Sequence, residues 1–542
     1  MKLKITNFFA LVLALASVTL SAQNVTTASI NGRVVSQSGQ EVNDAKVVVV
    51  HQPTGSRYTA MTDNSGRYAI DGLRIGGPYT IDVTSGTGNE ELGGIYLSLG
   101  QSLRLNVTVG MKNTTLGEVE IVATKNEILN SQRTGAATNV KVEALNTLPT
   151  FSRSLNDFTR LTPQSRPSSV ASTAGSGVSF AGADSRFNNL TIDGSIFNNS
   201  FGLASGPGGQ TNSSPISLDA IEEVQVNIAP YDVRQGGFTG AGINAITRSG
   251  GNEVSASVFY NTRNQNFRGD TVTYLDKDGV KTGSGLKIND FAVNQFGFRV
   301  GGPIKKDKIF FFLNAEGERR IDPATLFTAN NNDGTTDLNE TRVLRSDLED
   351  VRNLLINKFN YNPGAFENYS NETYSDKILA KFDFNLNDKN KAWIRVNYLK
   401  SYRDVLSSNS GVVSGNRNGT LDALNFQGTN YVINNNIFST IGELNTRVSN
   451  KLSNQFQMGF TANRDFRSSR ATGGRYDNGV FPLVDIMEEG RTYMSFGYEP
   501  FTPNNILNTN TFQIQNNLTY YSGNHTVTAG LNFESIKFDN TF

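Results

Sequence analysis

Asp376-Lys-Ile-Leu-Ala-Lys-Phe-Asp-Phe-Asn-Leu386 alternates apolar and polar side chains along most of its length. Ile378, Ala380, Phe382, Phe384 and Leu386 fall on one face of an extended segment, and Lys381, Asp383 and Asn385 on the other. Successive side chains of a strand point to opposite sides, so this is a strand with one apolar and one polar face. Ala392, Ile394, Val396 and Tyr398 repeat the pattern opposite Arg395 and Asn397. Phe456, Met458, Phe460 and Ala462 alternate with Gln457, Gly459 and Thr461, and Val527, Ala529, Leu531 and Phe533 with Thr526, Thr528, Asn532 and Glu534. Alternation alone fits any one-sided sheet, a soluble sandwich or a solenoid included. The connections separate these cases. About nine strands are predicted, near Asn252, Phe291, Asp307, Asp376, Lys391, Ile437, Asn454, Thr511 and His525, and their links run short, long, short, long. Gly301 to Lys306, Asn387 to Asn390, Asn450 to Ser453 and Ser522 to Asn524 are the short ones. The others run to about 30 to 55 residues, far above the usual loop length. Tight turns on one side and long loops on the other mark a transmembrane barrel, with the polar face toward the lumen and the apolar face toward lipid.

Toward the N-terminus the pattern changes twice. Between Thr124 and about Asn252 there is no sustained alternation. Residues up to Arg248 are rich in Gly, Ser and Asn, with one apolar-acidic stretch, Pro215-Ile-Ser-Leu-Asp-Ala-Ile-Glu-Glu-Val-Gln-Val226. Such a region is too glycine-rich for a large independent core and needs surrounding walls. Before it, Leu116-Gly-Glu-Val-Glu-Ile-Val-Ala-Thr124 is β-prone and isolated. Earlier still, Ala28 to Val35, Ala45 to Val50, Tyr58 to Thr62, Arg67 to Ile70, Tyr79 to Val83 and Leu103 to Val109 are short strands at close spacing. That spacing predicts a β-sandwich. The unit resembles the carboxypeptidase regulatory-like family in its Gly32-Arg-Val opening, its Thr62-Asp-Asn-Ser-Gly-Arg-Tyr68 turn and its Gly77-Pro-Tyr79 strand start. The resemblance implies an Ig/transthyretin-like sandwich and no peptidase activity; the unit holds no zinc-ligand set.

Composition narrows the function classes. Across 542 residues, Lys plus Arg equals Asp plus Glu at 49 each, so there is no basic excess to support nucleic-acid binding. Cys is absent, which excludes disulfides, thiolate metal sites and a lipid-bearing N-terminal Cys. The two histidines, His51 and His525, lie far apart. A zinc site or a Ser-His-Asp triad would have to be built on one of them, so no enzyme activity, metal or cofactor is expected. Lys2 and Lys4 followed by the apolar run Phe8 to Leu20 and Ser21-Ala22-Gln23 predict a secretory signal that is removed near Gln23 or Asn24. Asn330 to Glu340 is calcium-like in Asn331, Asp333, Gly334 and Glu340, but Ala329 stands where the first acidic ligand belongs, so a polar turn is expected. Ser346-Asp-Leu-Glu349 predicts a capping box, with Leu348, Val351, Leu354 and Leu355 as the apolar stripe of the helix that follows.

Four motifs carry a wider resemblance. They are Leu148-Pro-Thr-Phe-Ser-Arg-Ser-Leu-Asn-Asp-Phe-Thr-Arg-Leu-Thr-Pro163, Arg186-Phe-Asn-Asn-Leu-Thr-Ile-Asp-Gly194, the run from Ala220 to Val226 that continues from Pro230 to Thr247, and Phe296 to Phe312 with its Gly301-Gly-Pro-Ile304. As a set they resemble the TonB-dependent outer-membrane receptors of the Oar-like type. The family implies a plug inside a barrel of about 22 strands. The expected order is a signal peptide at 1–23, the sandwich at 24–110, a linker at 111–125, an α/β plug at 126–248 and the first part of an antiparallel transmembrane β-barrel at 249–542. At the spacing of the nine strands a complete barrel needs roughly 700 residues, so the chain reads as an N-terminal fragment of a mainly β receptor. The resemblance implies residence in a Gram-negative outer membrane, with the sandwich in the periplasm and the long loops outside. It implies TonB of the TonB–ExbB–ExbD complex, outer-membrane lipid and an unidentified extracellular ligand as partners. Leu116, Gly117, Glu118, Val119, Glu120, Ile121, Val122, Ala123 and Thr124 match a TonB box in position and character. Glu316 and Glu318 are expected to face the lumen and to pair with Arg234 and Arg248 of the plug, because a buried lone charge is costly. A surface barrel with an adhesive or structural role is the alternative; such a protein needs neither plug nor TonB box.

Overall fold

A computed structural model describes residues 25–110, 136–150, 153–167, 177–199, 204, 206, 208–267, 271–275, 281–285, 290–334, 339–470, 472–473, 481–523 and 525–542. The expected signal segment and the TonB-box segment 116–124 lie outside the described residues.

The N-terminal unit is a sandwich of two four-stranded sheets. One orders Ser56–Met61, Lys46–His51, Gly76–Ser85 and Gly88–Leu97; the other is built around Ala28–Ser36. Alternation decides which side chains go inside. Val47 and Val49 are fully buried while Val48 and Val50 are half-buried, and Ile30, Val34, Tyr79 and Ile81 complete the core. Burying each such side chain contributes about 1.5–3 kcal/mol relative to leaving it exposed. The turn after Thr62 is set by Asp63, whose Oδ1 accepts from the N–H groups of Ser65 and Arg67 at 2.9 and 3.0 Å. Gly32 is required by close approach: a Cβ there would sit 1.7 Å from the Leu105 carbonyl oxygen. Gly88–Leu97 is a strand that the sequence pattern does not predict, because its glycines interrupt the alternation.

His51 is buried against the Tyr79 ring, centroids 4.8 Å apart, with Nδ1 2.7 Å from Thr54 Oγ1. Burial, then the charge of Arg74, pushes its pKa down from 6.5 to about 3. A base with a depressed folded pKa contributes stability that is complete above 6.5 and is lost as pH falls from there toward 3. The His51 ring resonances should therefore hold constant between about pH 8 and pH 5; a midpoint near the ordinary histidine pKa would refute the buried neutral state.

The plug carries a five-stranded sheet ordered Ser195–Ile196, Asn189–Ile192, Gly242–Thr247, Ile221–Ile228 and Ala136–Lys141, with short helices at Val142–Thr147 and Leu155–Thr159. Its core is not its own. Phe158, Phe180, Phe197, Ile221 and Val224 pack in one cluster with Phe312, Leu379, Leu399 and Ile437 of the wall.

The wall is one nine-stranded antiparallel sheet in sequence order: Ser255–Asn264, Ala292–Lys305, Ile309–Pro323, Ser370–Asn385, Asn390–Val405, Tyr431–Ser449, Leu452–Ser469, Ile506–Ser522 and His525–Thr541. The first and last of these form its two edges. Gly301 to Lys305, expected in a turn, continues the second strand; the turn lies at Lys306 to Lys308, with Asp307 at positive φ. Burial is inverted relative to a soluble sheet. Arg395, Asn397, Lys381 and Asp383 are buried, whereas Ile378 is 55%, Ile394 43% and Val396 38% exposed. Charged residues face the plug and apolar ones face away from it, the arrangement of a membrane barrel wall.

Three of the long links fold together on the side opposite the tight turns. Leu348 and Leu355 of the helix Arg345–Phe359 share a core with Tyr361, Phe366, Phe426, Phe481 and Phe496. Val351 packs beside them, but Leu354 is exposed. The capping box is absent: the helix starts at Arg345 with Leu344 at the N-cap and no side-chain cap. In the calcium-like loop, Glu340 accepts from Asn331 N–H at 3.1 Å, and Asn331 accepts from Arg345 Nε at 2.7 Å. Among the described residues no group of three His, Cys, Asp or Glu is placed to hold a metal ion.

Candidate functional site: the plug–wall junction

Asp193-Gly194 turns the plug hairpin between Asn189–Ile192 and Ser195–Ile196, both residues at positive φ. Asp-Gly suits the tight two-residue hairpin turn, which demands that conformation. The tip of the hairpin presses on the lumen face of the wall. Gly194 O accepts from Gln513 Nε2 at 2.9 Å, and Ile196 N–H donates to Gln513 Oε1 at 3.1 Å. Ser195 Oγ lies 3.1 Å from Ser439 Oγ and 3.2 Å from Thr461 Oγ1.

Asp193 is the centre of the junction. Its carboxylate accepts from Thr247 N–H at 2.9 Å and from Thr247 Oγ1 at 2.6 Å, both within the plug. Two wall cations converge on it: Arg395 Nη1 at 3.4 Å and Lys381 Nζ at 3.7 Å. Arg395, 0% exposed, also donates to Ile192 O at 3.0 Å and to Ser439 Oγ at 3.3 Å. Lys381 donates to Thr247 O at 3.1 Å. One carboxylate thus serves two buried cations, and the plug is tied to two neighbouring wall strands at once. Two residues along from Lys381 on the same face, Asp383 pairs at 3.0 Å with Arg74 of the sandwich.

The expected pairing of Arg234 and Arg248 with Glu316 and Glu318 is corrected. Arg234 closes on Asp232 at 2.7 Å, and Arg248 Nε donates to Ile221 O at 3.1 Å. Glu318 accepts from Gln295 Nε2 at 3.1 Å on the adjacent strand. Glu316 does reach the plug, through Ser217 Oγ at 2.7 Å, but its cation is Lys377 at 2.6 Å. The physical reason is register: Glu316 and Lys377 stand directly opposite each other on paired strands, so the wall neutralises its own carboxylate. Lys381, Asp383 and Arg395 are legible in the sequence as lumen-facing charges. Reading the sequence alone misses Asp193, although it sits in the Thr191-Ile-Asp-Gly194 motif; Arg74 carries no sequence signal.

Comparison with known proteins follows the same three-part division. A family model described as an outer membrane beta barrel domain matches residues 246–542. A TonB-dependent receptor plug domain matches 130–243, and a carboxypeptidase regulatory-like domain matches 29–110. The chain is similar to the TonB-dependent transporter Oar of Myxococcus xanthus, 29% identical over 307 residues that cover 54% of this chain and 27% of the relative. Among solved structures it is similar to the outer membrane transporter YddB from Escherichia coli, with TM-score 0.49 and 15% identity over 74% of this chain and 48% of that one. It is also similar to the ferric enterobactin receptor PfeA of Pseudomonas aeruginosa, with TM-score 0.45 and 11% identity over 75% and 50%. The chain therefore spans 27% of the length of the curated relative and about half of these two structures.

Proposed function

Since the chain belongs to the outer-membrane β-barrel family and carries a TonB-dependent receptor plug against that wall, we propose that it binds an extracellular ligand and imports it with energy delivered from the inner membrane by TonB of the TonB–ExbB–ExbD complex. The protein resides in the outer membrane of a Gram-negative bacterium. The observation that carries the reading is the shared core and buried ion network by which the plug is seated on the wall. A seated plug of this kind has to be moved for a bulky ligand to pass, and its outer-membrane position offers no local ATP. The apolar outer face of the wall suits contact with lipid; the tight turns and the sandwich belong on the periplasmic side and the folded long links outside.

Leu116 to Thr124 is the proposed coupling segment. It joins the sandwich to the plug, and Val119, Ile121 and Val122 favour addition as a strand to a partner sheet. A peptide spanning residues 112–128 should bind the periplasmic domain of TonB, and Ile121→Pro should abolish that binding, because proline removes a ladder donor and restricts its neighbour. In cells the same variant should keep ligand binding at the surface and lose accumulation. Equal TonB binding by the parent and proline peptides would remove this segment from the coupling role.

A further inference from the structure

The sandwich meets the wall at its tight turns and also reaches the plug. Pro53 O accepts from Asn252 N–H at 2.7 Å, and Ser56 Oγ donates to Asn385 Oδ1 at 2.9 Å. Ser453 Oγ donates to Asp71 Oδ2 at 2.8 Å, and Thr26 Oγ1 donates to Glu443 Oε2 at 2.6 Å. On the plug, Leu99 N–H donates to Glu223 Oε1 at 3.0 Å, and Leu99 O accepts from Gln225 Nε2 at 2.8 Å. Asn244 Nδ2 donates to Val25 O at 2.6 Å. Leu99, Val25, Glu223 and Gln225 are all buried. A cavity of about 570 Å³ lies between the three units, lined among others by Arg74, Glu222, Thr247, Lys381, Asp383 and Glu443.

We infer that the sandwich is a latch: docked across the tight-turn end, it holds the plug seated, and it must leave before the plug can move. The charge arrangement supports this. Asp383 is buried and takes its cation, Arg74, from the sandwich. When the sandwich leaves, Asp383 is left beside Lys381 on the same face of the same strand, and Lys381 is one of the two cations that hold Asp193 of the plug. Asp383 then has lost its opposite charge, so it competes with Asp193 for Lys381 and weakens the junction. Undocking the sandwich and loosening the plug are thereby coupled through one strand. The inference rests on the import reading for its purpose, since only a plug that moves needs a latch.

The test uses the full chain in detergent and deuterium exchange at the plug strands Ile221–Ile228 and Gly242–Thr247. Arg74→Ala should accelerate exchange there at least about ten-fold, the change expected for about 1.4 kcal/mol of lost protection. The double variant Thr26→Val with Ser453→Ala removes two hydroxyl donors and leaves every charged group in place, Glu443 keeping its bonds from Asn445 and Gln457; it should act in the same direction and serves if Arg74→Ala does not fold. Because the chain has no native cysteine, Gly72→Cys with Asn445→Cys can staple the sandwich to the wall. A Cβ on Gly72 would lie 3.2 Å from the Asn445 Cβ, just under disulfide spacing, and because Gly72 sits at φ +69° the reduced double-cysteine chain is the reference for its strain. In either weakened background the oxidised staple should restore plug protection and reduction should remove it again. Plug exchange that is unchanged in the weakened chains, or that is the same in the oxidised and reduced forms, overturns the latch. The readout needs neither ligand nor TonB, so its failure is distinct from failure of the import reading.

Discussion

Asp193→Ala should loosen the plug by about 3–5 kcal/mol, the cost of breaking a buried charge network by removing one partner. Arg395 and Lys381 would be left buried with no carboxylate at the hairpin tip, and Thr247 would lose the acceptor of its N–H and hydroxyl. The matched control is Asp232→Ala. Its partner Arg234 is partly solvent-accessible and the pair lies within one loop, so the loss should stay under about 1 kcal/mol. Protease resistance of the plug against rising urea, in the full chain, separates the two. A plug that survives Asp193→Ala as well as Asp232→Ala would show that the hairpin tip does not hold it.

Val396→Arg should cost about 2–4 kcal/mol in lipid vesicles, because its side chain lies on the outer face in the middle part of a wall strand. The same substitution at Phe384, one residue before the Asn385 that contacts the turn at Asp307, should cost only about 0–1 kcal/mol, as expected near an interface. The gradient is the signature: a soluble sheet would tolerate arginine at an exposed Val396 within about 0.5 kcal/mol. Reversible folding into vesicles, followed by heat-modifiable gel migration, measures both. Equal small costs at the two positions would place the outer face in water.

The wall was legible because membrane strands obey a single rule along their whole length. Ile378, Phe382, Ile394 and Val396 announce one face, and Lys381, Asp383, Arg395 and Asn397 the other. The sandwich strand Gly88–Leu97 was not legible, because Gly93 and Gly94 erase the pattern of the side chains around them. The plug contacts were half legible. The wall charges that needed partners could be named, but the partners are fixed by strand register, and no local pattern states that Glu316 stands opposite Lys377. The docking of the sandwich left no trace at all. It runs through main-chain groups of Val25, Pro53 and Leu99, whose hydrogen bonding places no demand on residue type, and through single side chains, Thr26, Ser56, Asp71 and Arg74, that belong to no pattern. The missing capping box shows the opposite error: a correct local motif was overruled when the helix began two residues earlier, at Arg345 rather than Asp347.

The aromatic knot on the outer side has a consequence for how this surface can change. Tyr361 stacks on Phe481 at 4.4 Å, and Phe366 meets Phe426 edge-on at 5.8 Å, so three excursions of the chain are tied into one body. Separate loops could be exchanged one by one as phage or antibodies select against them. Here a replacement in one excursion that misfits Phe426 or Phe481 unsettles the other two. Freedom to vary is confined to tips outside the knot, such as Val413 at 88% exposure and Leu421 at 57%. Sequence drift should therefore concentrate at those tips, while the buried rings change together or not at all.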